Sequence, residues 1–172
     1  MEFFETVQKR HSYRGAFWDK PIPDADIRRI LQAGISAPSG YNAQTTRFAV
    51  VTEPELLREI AALMETTVLQ TAKAVIVPLS EYVPQKAGLV FETEDYAASV
   101  ENILLAITAL GYAGVWMDGF AKLGDHAEKI AQILNAPENL HVRALIPFGV
   151  PQETWQQKEK KPFEERVQFN RF

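Results

Sequence analysis

The sequence predicts an α+β fold, an α/β sandwich in which helices flank a central sheet. Helical and strand-type patterns alternate along its 172 residues, of which 47% are hydrophobic. A chain of this length can bury about 70% of its unfolded surface, and such alternation is typical of a sheet covered by helices. The pattern ends at Pro151. We therefore expect one domain over residues 1–151 and an extended arm over residues 152–172.

The composition excludes several functional classes. The chain contains no cysteine, which removes disulfides, thiolate nucleophiles and cysteine-ligated metals. Its net charge is −4, whereas nucleic-acid binding needs a concentrated basic face. No apolar run reaches the roughly 20 residues that a bilayer span requires, and the first residues lack the apolar core of a secretory signal. We expect a cytoplasmic protein that binds neither nucleic acid nor membrane.

Apolar residues at helical spacing predict five helices. They cover residues 2–9, the stretch from Asp24 to a stop at Pro38, and residues 54–64, 94–110 and 126–134. The helix over 94–110 is apolar around much of its circumference, which predicts a place in the core or at a subunit interface. Gly111 follows it as a natural C-cap.

Four buried strands are predicted, over residues 47–52, 72–79, 114–118 and 141–150. Pro78 should lie at the end or edge of its strand, because proline cannot donate to a sheet ladder. The last 21 residues are charged but also carry Phe163, Val167, Phe169 and Phe172. An arm that lies on a partner subunit would satisfy both features.

Candidate chemistry begins with the stretch RHSYR at residues 10–14. If this stretch is extended, Arg10, Ser12 and Arg14 point to one side, and guanidinium groups offer paired donors that suit a phosphate. A solvated basic turn explains the same spacing, since the pattern is short.

Two further segments could face a ligand. Residues 37–44 (APSGYNAQ) combine polar side chains with Gly40, where a backbone can approach a flat molecule closely. A capped turn explains them equally well. Later, a buried strand ends in Asp118 and Gly119, where backbone N–H groups could meet a ligand or could simply form a tight turn.

The sequence lacks an obvious catalytic constellation of its own. Its three histidines are scattered and none has metal-ligand spacing. Phosphate-loop, dinucleotide-binding and nucleophile-elbow motifs are absent. If the chain is an enzyme, a cofactor is expected to carry the chemistry.

Taken in order, these segments resemble the nitroreductase family of flavoproteins. The match runs essentially end to end: Arg10-x-Ser12-x-Arg14, residues 37–44, the long helix leading to Asp118-Gly119, the strand ALIPFGVP over 144–151, and a basic tail ending in RVQFNRF. The resemblance implies a mostly antiparallel sheet of four to five strands. It also implies a homodimer with an exchanged C-terminal arm and two FMN sites at the subunit interface.

The resemblance also implies roles for individual residues. Arg10 and Ser12, with His11 between them, would hold the FMN phosphate, and Arg14 would reach the N1/O2 edge of the flavin. The backbone at Asp118 and Gly119 would face flavin N5 and O4. The remaining implied contacts are Pro38, Ser39, Gly40 and Asn42, from the neighbouring subunit, and the tail cations Lys158 and Lys160.

The implied activity is NAD(P)H-dependent reduction of a nitroaromatic, quinone or similar small molecule by a ping-pong mechanism. The sequence departs from the family at Thr45-Thr46, where many relatives have Pro-Trp, and at Asp118, where several have Glu. Only 17 residues separate Pro78 from Tyr96, so the helical roof of longer relatives is short or absent and the site should be open. A flavin-binding carrier or sensor without NAD(P)H turnover is the alternative.

Overall fold

A five-stranded antiparallel sheet forms the centre of the protein, described here for residues 1–172 by a computed structural model. The helices are α1 (Phe3–Lys9), α2 (Asp24–Ile35), α3 (Pro54–Ala62), α4 (Thr67–Thr71), α5 (Glu92–Ala109), α6 (Asp118–Ala121), α7 (His126–Ile133) and α8 (Phe163–Arg166). The strands are β1 (Thr46–Val51), β2 (Ala74–Glu81), β3 (Ala113–Gly114), β4 (Leu140–Val142) and β5 (Ile146–Gly149).

The strand order is β1-β2-β5-β3, with β4 also pairing with β2, and every strand pair is antiparallel. Strand β2 is almost continuously apolar and buried, because helices cover both faces of the sheet. The predicted α+β sandwich with a mostly antiparallel sheet is therefore confirmed.

Alternate residues of β2 pack into two separate hydrophobic clusters. Val75 and Val77 join the cluster beneath α3, α4 and α7, whereas Ile76 joins the cluster beneath α2 and α5. This division follows from the strand period of two. The α2/α5 side is closed mainly by α5, whose Val100, Ile103 and Ile107 are fully buried.

Helix α5 begins and ends close to its predicted limits. Its first turn carries Glu92, Glu94 and Asp95, where the positive end of the helix dipole favours acids. Gly111 has a φ of +84°, and the N–H of Tyr112 donates to the carbonyl of Ile107 over 3.0 Å. The predicted glycine C-cap is confirmed, since this bond pattern is a Schellman motif.

The predicted strand over 141–150 is split by a β-bulge. Val142 pairs with Leu79 and Ile146 pairs with Ile76, so three residues on one strand face two on the other. Pro78 lies opposite the extra residue, and its carbonyl accepts the N–H of Arg143 over 2.9 Å. The expectation that Pro78 lies at an end or edge was wrong: an interior strand tolerates it because the ladder is already broken there.

Two further elements differ from the predictions, and one prediction about a connection holds. Strand β3 is shorter than the predicted 114–118, because Asp118 already starts α6. Helix α4 was not foreseen. Residues 82–91, between β2 and α5, contain only one 3₁₀ turn, Lys86–Gly88, so the predicted shortening of the roof is confirmed. No helix combines the length and the apolar character that a membrane span requires.

The C-terminal arm divides at Gln157. Before that point it is tied to the body: the N–H of Gln152 donates to Ala16, and the Gln157 side chain donates to the carbonyl of Arg10 over 2.6 Å. Beyond it the arm is exposed, and Phe169 and Phe172 keep 77% and 107% of their reference accessibility. The Phe169 ring meets only the exposed ring of Phe163, 6.3 Å away. The exchange of the arm across a dimer stays a prediction.

Candidate functional site

The 10–14 segment is extended and pairs with the edge of the sheet. Ser12 forms a parallel bridge with Gly114, and the N–H of Tyr13 donates to the Gly114 carbonyl over 3.0 Å. Tyr13 is completely buried, with its ring 5.1 Å from that of Phe17. Because side chains alternate along an extended chain, the alternation directs Arg10, Ser12 and Arg14 away from this core.

The two arginines of this segment differ in their electrostatic surroundings. Arg10 Nε lies 3.6 Å from Glu101 Oε1 on α5, and its side chain is only 22% exposed. Arg14 is exposed and forms no ion pair in the structure. Arg14 is therefore a free cation beside a partly neutralised one, which suits it to an anionic partner outside the chain.

The His11 ring lies beside the ring of Tyr13. The two rings meet edge-on at 6.4 Å. His11 Nδ1 lies 2.8 Å from the carbonyl oxygen of Lys9, which assigns the ring proton to Nδ1. Nε2 is buried without a partner, and in the neutral ring it can accept a hydrogen bond. Contact between His11 and a cofactor remains a prediction, but its unpaired nitrogen marks a place for a donor.

A cavity of about 400 Å³ opens beside Arg14 and is lined also by Thr66, Thr67, Val115 and Met117. The Thr66 hydroxyl is buried there without a hydrogen-bond partner. Cavities of this size hold small organic ligands. The sequence analysis missed Thr66 and Thr67 because it did not detect α4, which orients them.

Asp118 and Gly119 follow directly after this cavity. The N–H of Met117 donates to Leu145 over 2.9 Å, which fixes the backbone just before them. Asp118 Oδ2 lies 2.7 Å from Lys122 Nζ, and the hydrogen bond to Lys122 holds the pKa of Asp118 below its ordinary value. Gly119 has no heavy atom within 4 Å of the position a Cβ would take. The backbone of Gly119 is therefore open to an approaching molecule.

The 39–45 loop carries the other predicted contacts, and Asp95 of α5 holds it. The Gly40 N–H donates to Asp95 Oδ1, and the Thr45 hydroxyl donates to Asp95 Oδ2, each over 2.7 Å. A Cβ on Gly40 would lie 2.4 Å from Phe91 Cγ, so only glycine fits this approach. Sequence reasoning missed Asp95, whose only signal was its place in the first turn of a helix.

The loop and the 10–14 segment meet different parts of α5 within one chain: the loop meets its first turn, and the segment lies beside Glu101 and the turns that follow. The loop contacts Asp95, whereas Gly114, the partner of the segment, approaches Ile107. These helix residues are twelve positions apart, or about 18 Å along the axis. Pro38 and Ser39 line a separate cavity of about 360 Å³, which shares no residue with that beside Arg14.

The tail lysines are placed by the anchoring of Gln157. Its side-chain amide bonds to the carbonyl of Arg10, so Lys158 follows directly beside the 10–14 segment. Lys158 and Lys160 are exposed and form no ion pairs. The chain thus gathers Arg10, Ser12, Arg14 and the start of the arm in one place, and leaves Pro38, Ser39, Gly40 and Asn42 elsewhere.

Comparison with known proteins identifies the family. The family model described as "Nitroreductase family" matches residues 7–74 and 62–150. The chain belongs to the nitroreductase family. A relative from Archaeoglobus fulgidus, named "Putative NADH dehydrogenase/NAD(P)H nitroreductase", is 31% identical over 170 residues, which cover 98% of this chain and 94% of the relative. The nitroreductase resemblance inferred from the ordered motifs is thereby confirmed.

Solved structures agree over the same length. A protein of the same name from Bacteroides thetaiotaomicron superposes with a TM-score of 0.86 at 27% identity, covering 98% of this chain and 97% of that one. A Desulfovibrio desulfuricans structure, titled as a "putative nitroreductase in complex with FMN", superposes with a TM-score of 0.78 at 27% identity, covering 100% of this chain and 98% of that one. The nitroreductase fold thus spans the whole chain, arm included.

Proposed function

We propose that this nitroreductase-family chain is an FMN-dependent oxidoreductase that accepts hydride from NAD(P)H and reduces a nitroaromatic, quinone or similar small molecule in two successive half-reactions. The observation that carries the proposal is the free guanidinium of Arg14 at a cavity of about 400 Å³ in a chain of this family. The FMN complex of the Desulfovibrio relative supports the choice of cofactor.

The residues on the 10–14 segment suit the phosphate end of FMN. A phosphate carries nearly two negative charges at neutral pH, and Arg10, Ser12, Lys158 and Lys160 offer cations and a hydroxyl on neighbouring backbone. Guanidinium donors also match phosphate oxygens in geometry. These four residues would hold the phosphate. Neither Lys158 nor Lys160 forms an ion pair with an acid of its own chain, so both charges are available to it.

The residues around the Arg14 cavity suit the ring system. When bound, FMN supplies a centre that stores two electrons between donor and acceptor. Arg14 would place a positive charge at the pyrimidine edge, where it stabilises negative charge, and the buried Thr66 hydroxyl lacks the partner that a polar ring edge would provide. The backbone of Asp118 and Gly119 would donate to the opposite edge, with the Asp118 carboxylate held away by Lys122.

We further propose that the site is completed by a second copy of the chain. Two observations support a homodimer: within one chain the cavity lined by Pro38 and Ser39 shares no residue with the cavity beside Arg14, and the arm beyond Gln157 exposes Phe163, Phe169 and Phe172. In a dimer, Pro38, Ser39, Gly40 and Asn42 of one subunit would reach the flavin held by Arg10–Arg14 of the other.

The test is optical. The purified protein is loaded with FMN and its flavin absorbance is followed during anaerobic addition of NADH or NADPH. Bleaching by either nucleotide, followed by recovery on addition of a quinone or nitroaromatic, is the expected result. A protein that stays colourless after incubation with FMN would contradict the proposal.

A carrier or sensor role is the second candidate, and the short 82–91 connection favours it. Residues 82–91 form only a loop with one 3₁₀ turn, so less of the chain is available to enclose a second flat molecule. This candidate predicts an FMN-loaded protein whose absorbance persists in the presence of both nucleotides.

A further inference from the structure

A single buried carboxylate secures both ends of the 39–45 loop. Asp95 is 3% exposed, and its two oxygens accept separate hydrogen bonds, from the Gly40 N–H and from the Thr45 hydroxyl. The two donors are five positions apart in sequence. Within the loop, the Gln44 N–H also donates to Ser39 Oγ over 3.0 Å, whereas Asp95 ties the loop to α5.

Between these two attachments the backbone is held in a costly conformation. Tyr41, Asn42 and Gln44 have φ values of 53°, 56° and 51°, in the left-handed region. Asparagine enters this region readily, but tyrosine and glutamine do so rarely. Strained residues of this kind persist only where the surroundings determine the backbone strongly, and they concentrate at functional sites.

The loop supplies the hydrogen-bond donors to the Asp95 side chain, and no cation pairs with it. No lysine, arginine or histidine nitrogen lies within 4.0 Å of its carboxylate. The carboxylate is stabilised instead by its two loop donors and by the first turn of α5, where the helix dipole favours negative charge. A buried carboxylate without these donors would be unfavourable, so the carboxylate and the ordered loop stabilise each other.

We propose that Asp95 is the positioning residue that presets the 39–45 loop for flavin binding. The proposal rests on the proposed function, because the loop is the part that would contact the flavin of the partner subunit. Asp95 itself would not touch the flavin. It acts through Gly40, which packs so closely on Phe91 that a Cβ there would lie 2.4 Å from Phe91 Cγ.

The test compares three variants by FMN titration of the apo-protein and by hydrogen exchange of the Gly40 amide without FMN. Asp95→Ala removes both acceptors, and we expect FMN affinity to fall by at least about tenfold, with faster Gly40 exchange. Asp95→Asn keeps an acceptor for Gly40 and can donate to the Thr45 hydroxyl. Its affinity should stay within about threefold of the wild type.

Asn102→Ala is the matched control on the same helix. The Asn102 amide donates to the carbonyl of Ala33 on α2 over 3.0 Å, so its removal costs α5 a tertiary hydrogen bond without touching the loop. It should lower thermal stability and leave FMN affinity and Gly40 exchange unchanged. If Asp95→Ala fails to fold, Thr45→Val removes one of the two loop bonds and should weaken FMN binding by a smaller factor.

The outcomes separate the two proposals. If the wild-type protein binds no FMN, the proposed function is overturned, while fast Gly40 exchange in Asp95→Ala would still identify the carboxylate as the loop's anchor. If the wild type binds FMN and Asp95→Ala binds it equally well, the positioning role is overturned. Equal weakening by Asp95→Ala and Asn102→Ala would also overturn it, since the effect would then be one of general stability.

Discussion

The two regions that carry the candidate site are held in place by different forces. The 10–14 segment is anchored by backbone pairing with Gly114 and by the fully buried ring of Tyr13. The 39–45 loop is held by polar contacts, chiefly the two hydrogen bonds to the Asp95 carboxylate, and keeps three left-handed residues. The first region is therefore anchored by the hydrophobic core, whereas the second is anchored by hydrogen bonds to a buried carboxylate at the start of α5. Substitutions should separate accordingly into effects on stability and effects on binding.

The largest effect should come from removing the aromatic anchor of the first region. Tyr13→Ala should lower the free energy of unfolding by about 3–5 kcal/mol, because it leaves a cavity among Phe17, Trp155 and the core. Chemical denaturation measures the change. Tyr82→Ala, at a position that is 60% exposed, is the control and should change stability by less than about 0.5 kcal/mol. Similar losses of stability for the two tyrosine variants would contradict the view that Tyr13 anchors the first region.

The next effect concerns the second region. Gly40→Ala would place a Cβ 2.4 Å from Phe91 Cγ, so the loop must shift. We expect a stability loss of about 1–3 kcal/mol together with weaker FMN binding in a fluorescence titration. Gly119→Ala is the stability control, since its Cβ would meet open space. An unchanged stability and affinity for Gly40→Ala would show that the loop position is unimportant.

The exposed cation of the first region should affect binding alone. Arg14→Ala removes a side chain without an ion pair, so unfolding should change by less than about 0.5 kcal/mol. FMN affinity should fall by about tenfold or more, as for the loss of one charge-assisted hydrogen bond. Arg28→Ala, another exposed and unpaired arginine on α2, should leave both quantities unchanged. A loss of stability without a loss of FMN affinity would contradict the assignment of Arg14 to FMN binding.

The smallest effect tests the contact that links the two regions. The Tyr112 hydroxyl donates to Asp26 Oδ2 over 2.8 Å and thereby joins the strand beside Gly114 to α2, which leads into the loop. Tyr112→Phe should cost about 1 kcal/mol of stability at neutral pH, measured by denaturation.

The same contact has a defined pH dependence. Burial and the hydrogen bond to Asp26 raise the pKa of Tyr112 to about 12, above its unfolded value of about 10. The raised pKa means that the stabilisation is complete below about pH 10 and is lost as the pH rises through about 12. The wild type should therefore lose more stability than Tyr112→Phe over this range. Parallel curves for the two proteins would contradict the assignment.

Much of the fold follows from local sequence patterns, because burial on one face imposes a period. The helical spacing of Val100, Ile103 and Ile107 predicted α5, and the apolar run around Ile76 predicted β2. The bulge opposite Pro78 could not be foreseen, since it depends on the register between strands distant in sequence. The short helix α4 has too few residues to show a period.

Candidate site residues could be predicted where their residue types and spacing are visible within one short stretch of sequence. Arg10, Ser12 and Arg14 lie on an extended segment, the condition under which alternation places them on one side, and their shared role in binding FMN stays a prediction. Asp95 could not be found this way, because an acid in the first turn of a helix is ordinary and its function depends on a loop fifty residues earlier. His11 shows the converse: its place in the motif did not reveal that its ring turns toward Tyr13.

The central claim is that each flavin site combines the 10–14 segment of one subunit with the 39–45 loop of the other. Subunit exchange between Arg14→Ala and Gly40→Ala homodimers, with two different affinity tags, yields a purified heterodimer whose FMN binding can be titrated. The account predicts one site per heterodimer with wild-type affinity. One of the two sites then combines an intact segment with an intact loop, and the other combines the two altered ones. A heterodimer with no high-affinity site would contradict it and would place both regions of one subunit in the same site.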